Sequence, residues 1–167
     1  MTDRTPEEVG GPPEPERGVS AEFTLTRVFD APRELVFRAW TDPDQLAGWW
    51  GPQGFRTPPA TITSDAREGG EFALTMVHEA DGAEYPVFGV FREVRAPERL
   101  VVTTWSKPER GVGEWVATVT FADLGDGRTE MTFHTVGVTT EGVADQARTG
   151  WSQSFDKLAG HLAGNGE

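Results

Sequence analysis

The longest regular pattern of hydrophobic and polar positions lies near the C-terminal end of the chain, from about residue 140 to residue 163. Its apolar side chains recur every three or four residues, which places them on one face of an α-helix; they are Val143, Ala147, Trp151, Phe155, Leu158 and Leu162. Thr140 is suited to cap this helix and Gly164 to end it. A helix of about 24 residues is roughly 36 Å long. Its two aromatic residues need a broad apolar surface to cover them.

Before this helix, hydrophobic and polar residues alternate with the period of two that is typical of β-strands. Gly, Asp and Pro residues separate the alternating segments, and such short connections predict antiparallel hairpins in sequence order. Gly89 is expected to mark a bulge in the fourth strand. The seven predicted strands are Glu22–Phe29 and the segments near residues 60–65, 70–79, 85–95, 99–106, 114–123 and 128–137.

Two short amphipathic helices are predicted between the first and second strands. Asp30 is suited to cap the first of them, and the second restarts at Asp42. A loop with two adjacent tryptophans, Trp49 and Trp50, then continues to about residue 59. The order of elements predicts an α+β fold in which an antiparallel sheet covers the long C-terminal helix.

The amino-acid composition excludes several classes of function. Residues 1–20 are acidic and rich in Pro and Gly, which predicts a disordered tail before one domain at residues 21–164. The formal net charge of −12 argues against nucleic acids and anionic membranes as partners. The absence of cysteine excludes disulfides, thiolate catalysis and Cys-ligated zinc. No apolar run is long enough to span a membrane and no signal peptide is visible, so we expect a cytoplasmic protein.

Six motifs follow one another along the chain: Phe29–Pro43, Trp49–Pro52, Glu68–Gly70, Tyr85–Phe91, Pro97–Val101 and Gly150–Trp151. Together they resemble the activator-of-heat-shock-protein-90-ATPase-like family, over about residues 21–162. That family belongs to the START-like, or birch-pollen-allergen-like, superfamily. The resemblance implies a helix-grip fold: a curved seven-stranded antiparallel sheet wrapped around a long C-terminal helix, with two short helices after the first strand. It also implies a cavity between sheet and helix.

The resemblance implies a function as well. Relatives in this superfamily carry lipids or hormones, cyclise polyketides, confer antibiotic self-resistance or assist a chaperone. The leading expectation is non-catalytic binding of a small, largely hydrophobic molecule in the cavity, without a cofactor. Two alternatives remain open: a chaperone-associated interaction module linked to the stress response, and a polyketide cyclase-like enzyme.

The candidate ligand-binding residues are apolar side chains that the pattern turns towards the predicted helix or places at the cavity mouth. The same alternation describes a filled core, so both interpretations stand. Two adjacent indoles in a loop do not easily both point inward. Either the loop forms a lid or rim over the cavity mouth, or one tryptophan anchors the loop to the core and the other lies flat on the surface. Gly150 either leaves room for a ligand or is simply tolerated in the helix. The candidates are Trp50, Phe55, Phe72, Leu74, Met76, Phe88, Trp105, Trp115, Phe133, Trp151 and Phe155.

Polar candidates are few. If the protein is a cyclase, His78, Arg27 or Tyr85 would move protons. Arg27 would otherwise fix a ligand carboxylate or pair with Glu130 or Asp30. The three histidines are too scattered for a local metal motif, so no metal site is predicted. No sequence motif of a catalytic nucleophile or a phosphate-binding loop is present.

Overall fold

The computed structural model describes residues 19–105, 114–139 and 141–165. Within these ranges the helices are α1 (Arg33–Thr41), α2 (Pro43–Leu46) and α3 (Glu141–Asn165), and a 3₁₀ turn spans Pro59–Thr61. One sheet contains eight strands: β1 (Val19–Phe29), β2 (Phe55–Arg56), β3 (Thr63–Ser64), β4 (Glu71–His78), β5 (Glu84–Arg95), β6 (Arg99–Trp105), β7 (Glu114–Asp123) and β8 (Thr129–Thr139).

The sheet is antiparallel and curved into a half-barrel. Its strand order is β1-β8-β7-β6-β5-β4-β2, and β3 also pairs with β4. Strands β4 to β8 are neighbours in sequence order, as short hairpin connections require. β1 pairs with β8 along its whole length, from Val19 opposite Thr139 to Phe29 opposite Thr129. The first and last strands therefore lie side by side at one end of the sheet.

The predicted α+β helix-grip architecture is confirmed, with all seven predicted strands present. The second of them is shorter than expected because Pro59 begins a 3₁₀ turn, which leaves only β3 extended. The additional strand is β2, which lies in the predicted loop and pairs with Val77 and His78 at the end of β4. Residues 1–18 lie outside the described ranges, so the predicted tail remains a prediction.

α3 follows the predicted helical period. Phe155, Leu158 and Leu162 are buried on the face that meets the sheet. Thr140, the expected N-cap, lies outside the described residues. The helix continues through Gly164, one residue beyond the expected stop. No helix in the described ranges combines the length and apolar character needed to cross a membrane.

The helix starts after β1 differ in part from the prediction. Asp42 caps α2 as expected, since its carboxylate accepts a hydrogen bond from the Asp44 amide at 2.9 Å. Asp30, however, is not the cap of α1. Pro32 occupies that position without a side-chain hydrogen bond, and its carbonyl accepts from the amides of Leu35 and Val36. The fixed φ of proline is suited to a helix start, so α1 begins without a capping side chain.

The predicted position of the bulge, Gly89, is also wrong. The register between β5 and β6 shifts between Phe91 and Glu93, so Arg92 is the extra residue. Gly89 pairs regularly with Phe72 and Thr104. A Cβ at Gly89 would overlap the Phe72 ring. Glycine is thus required here for close approach of an aromatic ring, whereas the bulge further along the strand increases the local twist of the sheet.

Candidate ligand-binding cavity

The interior between the sheet and α3 is filled at one end and hollow at the other. Towards the C-terminal end of α3, Phe155, Leu158 and Leu162 pack into a solid core with Phe133 and Met131. Nearer its N-terminus, the stretch from Gln146 to Ser154 borders two cavities. α3 thus closes a solid core with one half and covers a hollow with the other.

The inner cavity has a volume of about 120 Å³ and is mostly enclosed. Its walls come from α1, from the segment after it and from the inward faces of five strands, with α3 on the remaining side. The lining residues are Trp40, Leu46, Trp50, Phe72, Phe91, Val102, Thr104, Trp115, Ala117, Thr135, Ala147 and Trp151. Its polar side chains are Thr104 and Thr135, and the Thr135 hydroxyl donates to the Val116 carbonyl at 2.9 Å.

The outer cavity has a volume of about 460 Å³ and opens to solvent. Five residues line both cavities, so the two adjoin: Trp50, Thr104, Trp115, Ala147 and Trp151. The outer cavity is further lined by Gly51, Pro52, Phe55, Met76, Tyr85, Pro86, Val87, Trp105, Thr139, Gln146, Gly150 and Ser154. Its volume lies within the range of about 300–1,000 Å³ that small-molecule sites occupy.

Both tryptophans after α2 point inward, contrary to the expectation that two adjacent indoles would not do so. Trp49 is 0% exposed and Trp50 8%. The chain continues from Leu46 in a helix-like turn, with the Trp50 amide bonded to the Leu46 carbonyl at 3.1 Å. Successive side chains in such a turn diverge by about 100°. Both indoles therefore reach the interior on different sides.

The two indoles have different roles. Trp49 donates from Nε1 to the Ala39 carbonyl at 2.9 Å and packs edge-on against Trp40, which anchors the turn to α1. Trp50 meets Trp151 edge-on, with ring centroids 5.1 Å apart, and packs against Phe72. Trp50 and Trp151 together form the boundary between the inner and outer cavities.

The segment from Trp50 to Phe55, which we call the Trp50–Phe55 loop, forms one wall of the outer cavity. The Lys157 amino group of α3 donates to the carbonyls of Gly51 and Phe55 at 2.9 and 3.0 Å. The Gln153 side chain accepts from the Gln53 amide at 3.1 Å. Burial lowers the pKa of Lys157, an effect that the Glu79 carboxylate opposes. α3 thus holds this wall in place through two side chains.

The described lining residues carry no side chain that is charged at neutral pH. The polar side chains around the outer cavity are Tyr85, Thr104, Thr139, Gln146 and Ser154. None of these five forms a side-chain hydrogen bond with the described part of the protein, although Ser154 is only 3% exposed. The outer cavity therefore presents uncharged hydrogen-bonding groups, and one of them, Thr104, also borders the inner cavity.

The structure places seven of the eleven candidate residues on the cavities: Trp50, Phe55, Phe72, Met76, Trp105, Trp115 and Trp151. Leu74, Phe133 and Phe155 are at most 1% exposed within the solid core, and neither cavity reaches them. Phe88 lies between the inward-facing Val87 and Gly89, so its side chain is on the opposite, convex face. Its selection was wrong because both parities of β5 carry apolar residues.

Several lining residues were missed, and the sequence held a signal for some of them. Trp40 was not among the candidates, although a large aromatic residue between two short helices is a reasonable candidate for a cavity wall. Gly150, where the sequence left open room for a ligand, lines the outer cavity, and a Cβ added there would lie 3.8 Å from the Pro52 side chain. Thr104 and Ser154 carry no sequence signal, because polar residues at such positions usually face solvent.

Two of the three residues considered for proton transfer do not line either cavity. Arg27 binds α3 and pairs with neither Glu130 nor Asp30: its guanidinium donates to Asp156 and to the Ser152 hydroxyl and carbonyl, each at 2.9 Å. β1 turns Arg27 towards the helix because Phe23 and Leu25, four and two residues before it, face inward.

His78 continues the inward face of β4 but lies beyond the cavity. Its Nδ1 is 2.9 Å from an Asp81 carboxylate oxygen, and its ring packs against Phe55. Tyr85 does line the outer cavity. Among the described residues, no group of three His, Cys, Asp or Glu side chains is arranged to hold a metal ion.

Comparison with solved structures places the chain among bacterial proteins of the same fold. Protein CV1439 from Chromobacterium violaceum is 29% identical, with a TM-score of 0.74 over 84% of this chain and 95% of that one. Protein NE0264 from Nitrosomonas europaea is 26% identical, with a TM-score of 0.72 over 87% and 96%. The AHSA1 protein of Silicibacter pomeroyi is 25% identical, with a TM-score of 0.73 over 86% and 98%.

A search among curated proteins gave no match. The family model described as "Activator of Hsp90 ATPase homolog 1-like protein" matches residues 30–163, which is most of the chain and includes α1, both tryptophans of the turn and nearly all of α3. The chain therefore belongs to the family of activator of Hsp90 ATPase homolog 1-like proteins.

Proposed function

We propose that this protein binds a small, largely hydrophobic molecule in the two adjoining cavities between the sheet and α3. The observation that carries the proposal is a hollow of this size walled by Trp50, Trp115 and Trp151 inside an otherwise packed domain. Protein interiors are normally close-packed, and an apolar void loses contacts that a filled core would make. A ligand would restore those contacts, which favours a binding site over a packing defect.

Binding would be driven mainly by apolar contact. Each Å² of apolar surface removed from water contributes about 25 cal/mol before the costs of association. The aromatic walls suit flat or branched apolar groups, which make edge and face contacts with indole rings. In the described lining no pair of groups is placed for acid–base catalysis, so the geometry favours a carrier or sensor over an enzyme.

The test uses two glycines of α3 that differ in their surroundings. Leucine in place of Gly150 would project into the outer cavity. Gly160 is exposed, and a Cβ added there would meet no atom of a neighbouring element within 4 Å. Both substitutions favour the helix by a similar amount, since glycine is a poor helix former. A neutral lipophilic library is screened by thermal shift against the wild type, Gly150→Leu and Gly160→Leu.

We expect library compounds that raise the melting temperature of the wild type and of Gly160→Leu, and little or no shift with Gly150→Leu. The proposal fails if no compound stabilises the wild type, or if Gly150→Leu responds as strongly as Gly160→Leu. Calorimetric titration of the best compounds then gives affinities. A compound that binds elsewhere is recognised by its indifference to the Gly150 substitution.

A second function is favoured by the family description, which refers to activation of the Hsp90 ATPase. In that case the protein would contact a chaperone through its surface. The distinguishing experiment measures chaperone ATPase rate and co-purification with the wild type and Gly150→Leu. A cavity-independent chaperone contact predicts equal activation by both proteins, and no activation at micromolar concentrations would remove this candidate.

A further inference from the structure

Thr104 lies on the floor of the hollow, in the middle of a row of residues that stand opposite one another across the sheet. The row crosses from β4 to β8 through Phe72, Gly89, Thr104, Trp115 and Gly137. The Phe72 ring lies over Gly89, and the Trp115 ring lies over Gly137, where an added Cβ would overlap it. Both rings therefore point in the same direction along the row, and the Trp115 ring points away from Thr104. The Thr104 side chain remains accessible from both cavities.

The indole groups at the junction of the two cavities differ from those deeper in the core in their hydrogen bonds. Trp49 donates from Nε1 to a backbone carbonyl, and Trp40 donates from Nε1 to a methionine sulfur. The tryptophans that line both cavities donate to no acceptor in the described ranges; they are Trp50, Trp115 and Trp151.

The Thr104 hydroxyl also forms no hydrogen bond with the described part of the chain. An indole N–H is a donor only, whereas a hydroxyl both donates and accepts. Three indole groups and one hydroxyl thus give the junction more donors than acceptors. Solvent reaches the outer cavity, so water can bond to these groups in the free protein. A ligand that displaces the water without supplying an acceptor loses those bonds and binds more weakly.

The surfaces on either side of the junction are less suited to a ligand acceptor. In the inner cavity the Thr135 hydroxyl already donates to a backbone carbonyl, and the Trp40 N–H is also bonded. On the other side, the wall of the outer cavity continues with Phe55, Met76 and Val87. A ligand that extends from one cavity to the other therefore has apolar walls around both of its ends and the donors around its middle.

We propose that the ligand is a hydrophobic carbonyl compound whose oxygen lies within its apolar body and accepts a hydrogen bond from the Thr104 hydroxyl. A carbonyl oxygen has two lone pairs and no proton, which matches a junction that is rich in donors. This inference rests on the proposed ligand-binding function. It adds the chemical group that is recognised and the residue that recognises it.

The probes are two ketones and the hydrocarbons of similar shape: 1-indanone with indane, and benzophenone with diphenylmethane. The members of each pair differ only in whether a carbonyl or a methylene group occupies the same place. Two sizes are used so that the result does not depend on how far a probe extends into either cavity. Diphenylmethanol is added to separate a carbonyl from a hydroxyl group. Isothermal titration calorimetry gives the dissociation constants.

Substitutions of threonine by valine test the hydrogen bond, because valine keeps the branched shape and removes the hydroxyl. Thr104→Val should weaken binding of both ketones by about fivefold, the value of one ordinary hydrogen bond. It should leave the affinities of indane and diphenylmethane within about twofold, because a hydrocarbon makes no such bond. Thr104→Ser keeps the hydroxyl and should keep the affinity for the ketones.

Thr118→Val is the matched control. Thr118 is half-buried and lies on β7 between the inward-facing Ala117 and Val119, so its side chain is on the convex face of the sheet. This variant should bind all probes as the wild type does. Circular dichroism verifies the fold of each variant. Thr104→Ala, which also lacks the hydroxyl, replaces Thr104→Val if the valine variant does not fold.

Infrared difference spectroscopy of bound 1-indanone gives a readout that a purely structural role of Thr104 would not change. A carbonyl that accepts a hydrogen bond absorbs at a lower frequency than one that does not. The carbonyl band should therefore lie at a lower frequency in the wild type and in Thr104→Ser than in Thr104→Val.

Four results would overturn the inference. They are binding of neither ketone to the wild type, a similar effect of Thr104→Val on ketones and hydrocarbons, an unchanged carbonyl frequency in that variant, and diphenylmethanol binding at least as tightly as benzophenone. If neither ketone binds, the Gly150→Leu screen still decides separately whether other compounds occupy the cavities. A wrong assignment of the ligand group is thus distinguishable from the absence of a ligand site.

Discussion

Gly89 in β5 stands directly opposite Phe72 in β4, and its missing side chain leaves the room that the phenyl ring occupies. Phe72 in turn lines the inner cavity and packs against Trp50 and Phe91. The absence of a side chain at Gly89 thus determines the position of an aromatic ring that lines the inner cavity. Alanine here would force the ring to move, and overpacking of this kind costs about 1–3 kcal/mol.

We therefore predict that Gly89→Ala lowers the free energy of unfolding by about 1–3 kcal/mol, measured by urea denaturation. Phe72→Leu removes the ring that the new methyl group would meet. In that background the alanine substitution should cost markedly less, because the two residues are coupled. Equal costs of Gly89→Ala in both backgrounds would show that the ring is not the obstacle.

At the scale of elements, the Trp50–Phe55 loop depends on α3 for its position. Lys157 offers two hydrogen bonds and Gln153 a third, and all three go to loop backbone groups. Gly51 and Gly54 adopt φ values of 110° and 89°, so the loop uses backbone conformations that other residues rarely adopt. Its regular pairing is limited to Phe55 in β2. The Glu79 amide donates to the Gly54 carbonyl and the Thr57 hydroxyl to the Trp50 carbonyl, and the side chains of α3 add the three bonds above.

Lys157→Met should release this wall of the outer cavity. Methionine keeps an apolar stem but leaves two carbonyls without their donor, which costs about 1–3 kcal/mol. We expect faster hydrogen exchange at the amides of Gln53 and Phe55, measured by NMR. Asp156→Asn is the control, since Asp156 binds Arg27 on β1 and is exposed. Equal exchange changes in both variants would contradict the role of Lys157 as the attachment.

At the scale of the whole molecule, sequence pattern was sufficient for the order and type of elements. Alternation and helical period are local properties, so β4 to β8 and α3 could be predicted within a few residues. The cavities could not be predicted in this way. Leu74 and Phe72 have the same place in the pattern of β4, yet one is in solid core and the other lines the hollow. Which residues meet empty space depends on how sheet and helix fit together.

The overall stability should also depend on pH through His161, which connects α3 to α2 and to the turn before Trp49. Its Nε2 is 2.7 Å from the Gln45 side-chain oxygen, and its ring lies against Gly48. Burial lowers the pKa of His161 below its ordinary value of 6.5. On acidification the unfolded chain therefore binds a proton at this residue before the folded protein does.

Stability contributed by neutral His161 is present above pH 6.5 and is lost as the pH falls towards the lower folded-state pKa. We predict that the melting temperature of the wild type falls more between about pH 7 and about pH 5 than that of His161→Gln, which has no ionisable group at this position. Differential scanning calorimetry across this range gives the two slopes. The same slope in both proteins would show that another group controls the acid response, because glutamine cannot take up the proton that opposes folding.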